Sequence, residues 1–534
     1  MPREHPASDA LWFGHPRGLL ILFFAEMWER FSFYGMRGLL VFYLTKHFLF
    51  DDTTATGIYA TYGAMVYLTP VIGGLIADKL LGFRRAVIFG AALLCCGHLG
   101  MAYEGSAAIV VNGEIVRDAQ ALQAFYLSIA FIIVGVGFLK PNISSIVGQL
   151  YALEDPRRDS GFTLFYMGIN VGATLAALTC GYLGETYGWS YGFGLAGIGM
   201  LSGLITFIRG QHWFDDAGLP PDIAHLQQKL LGPLQREWLI YAGGLLAVVG
   251  VWWLVQHRDL VGQLLTLTSA VAVLGIMVFS LRRCSPPERD RMLVVLSLTA
   301  ISVVFWALFE QAGSSMNLFA DRNVDREIFG FTIRASQLQF VNPTFIIVLA
   351  PVFSALWLQL GRRGWEPSTP TKFGLAIIQV GVGFIALVYG ATHADAQGQV
   401  ALIWLILAYF LHTTGELCLS PVGLSMVTRL SVPRVVGLMM GVWFLSSSVA
   451  HYVAGGIAAM ASVSGGAEAA GEESLSVYVD AFTLVTEVAL VTGVVVLVLA
   501  PLLRKRMHLD KIGQQTTLST TPDAGESPAN RESS

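Results

Sequence analysis

The sequence predicts an all-α polytopic membrane protein, and three observations carry that prediction. Of the 534 residues, 54% are hydrophobic and only 13% are charged, whereas about a quarter of the residues in a soluble domain are charged. The mean hydropathy is +0.60. Fourteen apolar runs are long enough for a helix across the bilayer, which takes about 20 residues. The net charge of -4 favours neither nucleic acid nor an acidic polymer as a partner.

The fourteen runs fall into groups of six, two and six along the chain. The first group covers residues 18–48, 57–77, 86–103, 123–151, 162–182 and 191–208. The pair that follows covers 238–255 and 260–281, and the last group covers 292–311, 338–360, 373–391, 401–426, 435–461 and 478–503. Glu29 and Arg30 interrupt the first run, unlike the short apolar core of a cleaved signal peptide. We therefore expect the first helix to remain in the protein.

The Lys and Arg residues between the runs predict the orientation, because cytoplasmic loops are enriched in them. If both termini are cytoplasmic, the opposite loops hold only Lys46, Arg117, Arg258, Arg322, Arg326 and Arg334. Two of these opposite loops resemble β-hairpins. The stretch "AIVVNGEIVRD" carries a type I′ turn signal at Asn112-Gly113, and "NVDREIFGFTIRAS" resembles it weakly.

The first run contains the stretch "AEMWERFSFYGMRG", whose charges are costly inside a bilayer. On a helix that turns 100° per residue, four charged and two aromatic side chains of this stretch share one face about 140° wide. These side chains are Glu26, Glu29, Arg30, Phe33, Tyr34 and Arg37. The charges are therefore expected to line an interior wall and not to face lipid.

Three further runs each carry one charge, Lys140, Glu310 or Glu416. Seven isolated charges would cost roughly 20 kcal/mol at about 3 kcal/mol each, so they must pair or face water. Buried ion pairs that only fix helix packing are the alternative for any single residue. As a set, the charges favour a polar cavity through which a charged solute and protons move, that is, a transporter.

Several motifs together resemble bacterial members of the proton-coupled oligopeptide transporter family, within the major facilitator superfamily. "EMWERFSFYG" matches the ExxERFxYYG pattern of the first helix, except that Phe33 replaces the usual Tyr. "DKLLGFR" matches the DxxxGxR loop of the superfamily at Asp78, Gly82 and Arg84, where a bundle-locking ion pair and helix-end contacts are plausible. Further similar stretches are "GFLKPNIS", "FYMGIN", "FWALFEQ", "FVNPTF", "GELCLSPVG" and "VWFLSSS".

The resemblance implies a major facilitator fold of 14 transmembrane helices, with two six-helix bundles and two extra helices between them. The expected domains are a cytoplasmic N-terminus at 1–17, an N-terminal bundle at 18–209, a linker with the extra helices at 210–291, a C-terminal bundle at 292–503, and a tail at 504–534. Beyond Lys511 the tail is polar and rich in Ser, Thr and Pro, which predicts disorder. The expected location is the bacterial cytoplasmic (inner) membrane.

The resemblance also implies the function, a proton-coupled symporter that imports di- and tripeptides by alternating access. In the family, Arg30 and Lys140 would meet the peptide carboxylate, and Glu416, Asn170 and Asn342 its amino end. Arg37 and Glu310 would form a gate salt bridge. Side-chain subpockets would come from Tyr34, Tyr67, Trp306 and Trp443, with Ser447 one turn further on. All twelve residues named in this paragraph are expected to bind substrate.

Proton coupling is expected at Glu26, Glu29, Arg30 and Lys140. A deprotonated Glu29 would lie close to Lys140 and Arg30, and its protonation would free a base for the peptide carboxylate. Protons would be the coupling ion, with no cofactor and no ATP, since the chain has no GxxxxGK[ST] loop. The protein is expected to act as a monomer in membrane lipid, to accept peptide-like drugs as well, and to bind no nucleic acid.

Two alternatives remain open from the sequence. The same fold could carry nitrate, an amino acid or a peptide-like drug, although plant nitrate-carrying relatives tend to lose the ExxER pattern that this chain keeps. An intramembrane hydrolase using Glu310 and His412 is the second alternative, and no nucleophile motif such as GxSxG supports it. The histidines of the apolar runs, His98, His412 and His451, lack the spacing of a metal site.

Overall fold

The computed structural model describes residues 13–152, 155–231, 234–463 and 472–509. Its first six long helices are α1 (Arg17–Phe42), α2 (Asp52–Ile76), α3 (Phe83–Met101), α4 (Ala119–Gln149), α5 (Arg158–Tyr187) and α6 (Trp189–Gly210). A short α7 (Ile223–Leu226) precedes α8 (Arg236–Val255) and α9 (Arg258–Arg283). The chain continues with α10 (Pro286–Phe309), a short α11 (Ser315–Asn323), α12 (Val341–Arg362), α13 (Thr369–Thr392), α14 (Leu402–Leu430), α15 (Val436–Met460) and α16 (Glu472–Arg506).

The spanning helices agree with the predicted count. Within the described residues, thirteen helical segments are long and apolar enough to cross a membrane. The 26-residue helix α1 is not among them because its apolar run is interrupted by Glu26, Glu29, Arg30 and Arg37. With α1 the described helices make up the expected groups of six, two and six. Each predicted run begins and ends within two helical turns of its helix.

The helices form two packed groups, which we call the N half (α1–α6) and the C half (α10–α16). In the N half, α1 packs on α5 and α6, and α4 packs on α2 and α3. In the C half, α13 packs on α14 and α16, and α10 packs on α15. The halves meet where α2 contacts α15 and where α5 contacts α12. Of the extra pair, α8 packs on α4 of the N half and α9 packs on α10 and α15 of the C half.

Glycine allows the closest helix contact in the N half. A Cβ atom on Gly73 of α2 would lie 2.5 Å from the carbonyl carbon of Gly137 in α4. Any side chain at Gly73 would therefore push the two helices apart. Gly137 thus serves as a packing notch for α2.

Eight short strands form between the helices, as four two-stranded sheets within the described residues. The predicted hairpin at residues 109–116 forms between β1 (Ile109–Val111) and β2 (Glu114–Val116), and both turn residues have positive φ, 54° at Asn112 and 83° at Gly113. β3 (Lys229–Leu231) pairs with β4 (Leu234–Gln235) in the linker between α6 and α8.

The weaker hairpin prediction, in the loop after α11, also holds. Here β5 (Val324–Asp325) is followed by β6 (Glu327–Ile328) and β7 (Phe331–Thr332), which pair with each other. Phe329 and Gly330 between them have φ values of 51° and 80°. β5 itself pairs in parallel with β8 (Val400–Ala401) and so ties the loop to the start of α14.

Polar contacts between the two halves concentrate at one end of the molecule, which we call the latch end. Asp52 at the start of α2 pairs with Arg322 of α11, at 2.6 Å and 2.8 Å. Lys46 pairs with Asp321 at 2.7 Å. Glu185 at the end of α5 accepts a 2.9 Å hydrogen bond from the backbone N–H of Ser336. Both hairpins also lie at this end, which is therefore closed by contacts between the halves.

Candidate functional site

A cavity of about 400 Å³ lies between the two halves. This volume is within the usual range of small-ligand pockets, about 300 to 1,000 Å³. Its walls come from α1, α2, α4 and α5 on one side and from α10, α12, α14 and α15 on the other. Each half supplies part of the wall, so a bound solute would contact both halves at once.

All twelve residues expected to bind substrate line this cavity. They are Arg30, Tyr34, Arg37, Tyr67, Lys140, Asn170, Trp306, Glu310, Asn342, Glu416, Trp443 and Ser447. The bases come from the N half and the acids Glu310 and Glu416 from the C half. The structure therefore brings the predicted set together, and the role of each member stays a prediction.

The N-half charges form a compact cluster on α1. The Arg30 Nε atom lies 2.9 Å from Oε1 of Glu26 and 2.5 Å from Oε2 of Glu29. Glu26 and Arg30 line the cavity, whereas Glu29 is fully buried behind them. The Nη2 atom of Arg30 has no hydrogen-bond partner within the described residues. The single positive charge of Arg30 is thus shared between two carboxylates.

Lys140 lies beside this cluster without joining it. Its Nζ atom is 4.1 Å from the centre of the Tyr67 ring, a cation–π distance. No carboxylate of the described residues lies within ion-pair distance of Lys140, and Glu29 pairs with Arg30 instead. The predicted approach of Glu29 to both bases is thus realised only for Arg30. Lys140 keeps its charge available to the cavity.

The C-half acid is held by amide and hydroxyl groups. Asn342 of α12 donates to Oε2 of Glu416 at 3.1 Å and to the Thr413 hydroxyl at 2.9 Å. These bonds fix the carboxylate against the cavity wall without neutralising it. Asn170, on the facing α5, donates to the backbone oxygen of Tyr166 at 3.2 Å, which leaves its side-chain oxygen for a ligand.

Aromatic side chains complete the wall. Trp306 packs edge to face against Phe309 at 5.4 Å. Trp443 is 8% exposed and fits against Gly423, where a Cβ atom would lie 2.6 Å from the indole ring. Phe33, where the family pattern has Tyr, is buried and lies 5.4 Å below the Arg30 guanidinium. The ring at position 33 therefore supports Arg30 through its face, without a hydroxyl.

The predicted gate pair is formed. Arg37 donates through Nη2 to Oε2 of Glu310 and through Nε to the Tyr59 hydroxyl, the latter at 2.5 Å. His451 also contacts this gate, with Nε2 3.4 Å from Oε1 of Glu310. We call Arg37, Glu310 and His451 the gate cluster. The sequence does not indicate a contact between His451 and Glu310, because no motif connects α15 with Glu310.

Sequence reasoning also missed the Asp52–Arg322 pair at the latch end. Both side chains are almost fully buried, at 3% and 1% exposure for Arg322 and Asp52. Arg322 also donates to the Tyr478 hydroxyl at 3.1 Å, and the Val463 N–H donates to Asp52 at 3.1 Å. Both charges lie between the predicted spans, in loops opposite the termini, where a charge needs no partner, so the sequence offered no signal that they pair.

Comparison with known proteins assigns the family. The sequence model of the POT family matches residues 84–472. The chain belongs to the POT family. The match begins after the "EMWERFSFYG" stretch, so it is independent of the motif on α1.

Similar proteins cover almost the whole length of this POT family member. The uncharacterized transporter YclF of Bacillus subtilis is 37% identical over 512 residues, covering 93% of this chain and 96% of YclF. Dipeptide and tripeptide permease A of Edwardsiella piscicida is 33% identical over 495 residues, covering 92% of this chain and 96% of the permease. A crystal structure of a mutant of peptide transporter POT in complex with alafosfalin superposes with a TM-score of 0.76 at 34% identity, over 93% of this chain and 97% of that one.

These matches confirm the predicted family and fold class. The protein is an integral membrane protein and a transporter, and not an enzyme. Within the described residues, no group of three or more His, Cys, Asp and Glu side chains could hold a metal ion. His98 and His412 are buried on different helices, α3 and α14, and His412 lines the cavity.

The superfamily loop of this POT family member contacts the linker after α6. Asp78 is exposed and makes no ion pair within the described residues, so the bundle-locking ion pair stays a prediction. Arg84 instead donates to the backbone oxygens of Ala217, at 2.5 Å, and Asp215. Gly82 has a φ of 77°, and a Cβ there would lie 2.7 Å from the Cα of Pro220. The loop therefore clasps the linker after α6.

Proposed function

We propose that this protein is a proton-coupled symporter that imports di- and tripeptides by alternating access. The observation that carries the proposal is the separation of charge in the central cavity, where Lys140 of the N half and Glu416 of the C half have no ion-pair partner among the described residues. A zwitterionic peptide has one charge for each wall. Because it would bridge the two halves, binding favours the state in which they close around it.

The peptide carboxylate would meet Arg30 and Lys140. Lys140 has no bound carboxylate within the described residues, and Arg30 lines the cavity beside it. The ammonium group would meet Glu416, which Asn342 orients, and Asn170. Trp306 and Trp443 would enclose side chains, and peptide-like drugs with the same two charges would fit the same walls.

Proton coupling would arise from competition for Arg30. As long as Glu26 and Glu29 are ionised, they occupy the Arg30 guanidinium. Protonation of Glu29 would release that charge for the peptide carboxylate, so that proton and peptide bind together. One proton crossing about 100 mV and about one pH unit releases about 3.7 kcal/mol, enough for a gradient of about 500-fold.

We propose further that the halves, at 18–209 and 292–503, rock about the cavity while 210–291 links them. The distribution of Lys and Arg supports an orientation in the bacterial cytoplasmic membrane with both termini in the cytoplasm. The latch end would then face outward, and this structure would be the state closed to the outside. One chain builds the whole cavity, which supports action as a monomer.

Uptake by proteoliposomes tests this proposal. Purified protein is reconstituted, an inward proton gradient is imposed, and labelled dialanine and nitrate are offered side by side. We expect concentrative uptake of dialanine that collapses when a protonophore removes the gradient. Uptake of nitrate alone would reject peptide as the cargo, and uptake that is indifferent to the protonophore would reject symport. Recovery of the dialanine intact excludes hydrolysis at the site.

A further inference from the structure

His451 occupies a contact between the two halves that the proposed transport cycle does not yet use. Its ring is 5% exposed and lies against Gly63 of α2, where a Cβ atom would come within 3.1 Å of the imidazole Cγ. Tyr67, one turn further along α2, lies with its ring centre 4.6 Å from the imidazole centre. The histidine of the C half is thus seated in a notch of the N half.

The hydrogen bonds of His451 fix which nitrogen can titrate. Nδ1 lies 2.9 Å from the backbone oxygen of Ser447. A carbonyl oxygen only accepts, so Nδ1 carries a hydrogen and donates it. Nε2 is therefore the atom that gains or loses a proton, and it faces Oε1 of Glu310 at 3.4 Å.

The distance between Nε2 and Glu310 fits the neutral ring. Without a proton on Nε2, a lone pair faces a carboxylate oxygen and neither atom can donate. The separation of 3.4 Å is longer than the usual 2.7 to about 3.2 Å of an N–H···O bond. Meanwhile Arg37 holds the other oxygen of the same carboxylate. In this state the charges of Arg37 and Glu310 balance.

We propose that His451 is the proton-binding group of the gate: a proton taken up on Nε2 makes the ring a cation that donates to Glu310 and competes with Arg37 for that carboxylate. The inference rests on the proposed function, since it assigns a second protonation site to the symport cycle. The proton comes from solution and returns to solution when Arg37 binds Glu310 again. No covalent bond other than N–H forms or breaks.

The groups around His451 determine the direction of the effect. Arg37 of α1 and Lys140 of α4 supply positive charge, Glu310 supplies negative charge, and α2 contributes the hydroxyls of Tyr59 and Tyr67. Protonation of His451 therefore adds a third cation around one carboxylate. Of the two cations that compete for Glu310, only Arg37 belongs to the N half. Its repulsion by His451 pushes the halves apart, so protonation at low pH opens the gate.

Spin-label distances across the latch end measure this opening. The five free cysteines are replaced, and labels are placed on the two hairpins at Ile115 and Phe329, which are exposed. Distances are recorded in bilayers without peptide at pH 5.5 and pH 7.5, between which an ordinary imidazole goes from about 90% to about 10% charged. In wild type we expect the population with the longer distance to rise severalfold at pH 5.5.

The variant His451→Gln removes the titration and is expected to lose this response. His451→Asn serves as a second, shorter replacement. His393→Gln is the matched control, because His393 lies exposed at the end of α13, on the same side as the hairpins, and it should respond as wild type. Thermal unfolding of each variant reports whether it folds.

The outcomes separate the inference from the proposed function. Wild-type distances that do not change between pH 5.5 and 7.5 overturn the inference without any variant. Folded His451→Gln or His451→Asn protein with the full wild-type response also overturns it. If wild type shows no proton-driven dialanine uptake in parallel vesicles, the proposed function fails instead. Loss of the response in both variants, with uptake by wild type intact, supports the inference.

Discussion

Replacing Asp52 by Asn removes one charge of the most buried ion pair that joins the two halves in the described residues. The side chain keeps its size, and Arg322 is left without a carboxylate at a site where it is 3% exposed. The pair is bidentate, with distances of 2.6 Å and 2.8 Å. The variant therefore destabilises the state in which the latch end is closed.

The size of the effect follows from burial. Removing one partner of a buried ion pair typically costs about 3 to 5 kcal/mol. In the state open at the latch end, both charges would be in water and the substitution would cost little. The equilibrium should therefore shift toward that state by about two to three and a half powers of ten, at about 1.4 kcal/mol per factor of ten. Lys46→Gln breaks the neighbouring pair, whose lysine is 32% exposed, and should shift it by about 1 kcal/mol or less.

The label pair on the two hairpins reports this equilibrium at a fixed pH of 7.5. We expect Asp52→Asn to populate mainly the longer distance and Lys46→Gln to resemble wild type. The reversed pair, Asp52→Arg with Arg322→Asp, should restore part of the short distance. If Asp52→Asn leaves the distances unchanged, or if it and Lys46→Gln shift them equally, then burial does not determine the strength of the latch.

Three further predictions concern the cavity and the loop that holds the linker. Glu29→Gln should abolish concentrative dialanine uptake but keep counterflow exchange, because the proton is no longer exchanged; undiminished concentrative uptake would remove Glu29 from coupling. Glu416→Gln should weaken dialanine binding at least tenfold, about 1.4 kcal/mol, because a hydrogen bond to a charged group is worth about 1.5 to 3 kcal/mol. Equal affinity of the variant and wild type in a binding titration would reject a role of Glu416 at the amino end of the peptide. Arg84→Ala should lower the stability by about 1 to 3 kcal/mol in thermal unfolding, since two backbone oxygens of the linker lose their donor. Asp78→Asn should change the stability little. A larger loss of stability for Asp78→Asn than for Arg84→Ala would favour a lock at Asp78.

Local regularities allowed much of the fold and the cavity to be predicted from the sequence. Helix length and hydropathy depend on the bilayer, so the spans could be counted without knowing how they pack. The helical repeat places Glu26, Arg30 and Arg37 on one face, and the cavity lies on that face. A charged side chain within a span indicated that its helix face points to the interior, because a charge facing lipid is too costly.

The contacts that could not be predicted from the sequence depend on which helices meet, and local patterns do not encode the packing partners of a helix. Asp52 and Arg322 are 270 residues apart, and each is unremarkable near a helix end. His451 became relevant only once α15 was seated against Gly63 of α2. Arg84 contacts a linker that lies more than a hundred residues further along the chain, which no local pattern indicates.

The extra pair, α8 and α9, is fastened to different partners. α8 rests on α4 of the N half, and its Glu237 pairs with Arg85 of α3 at 2.5 Å. α9 rests on α15 of the C half. Any rotation of one half against the other must shear this hairpin. The contact between α8 and α9 therefore changes whenever one half rotates against the other.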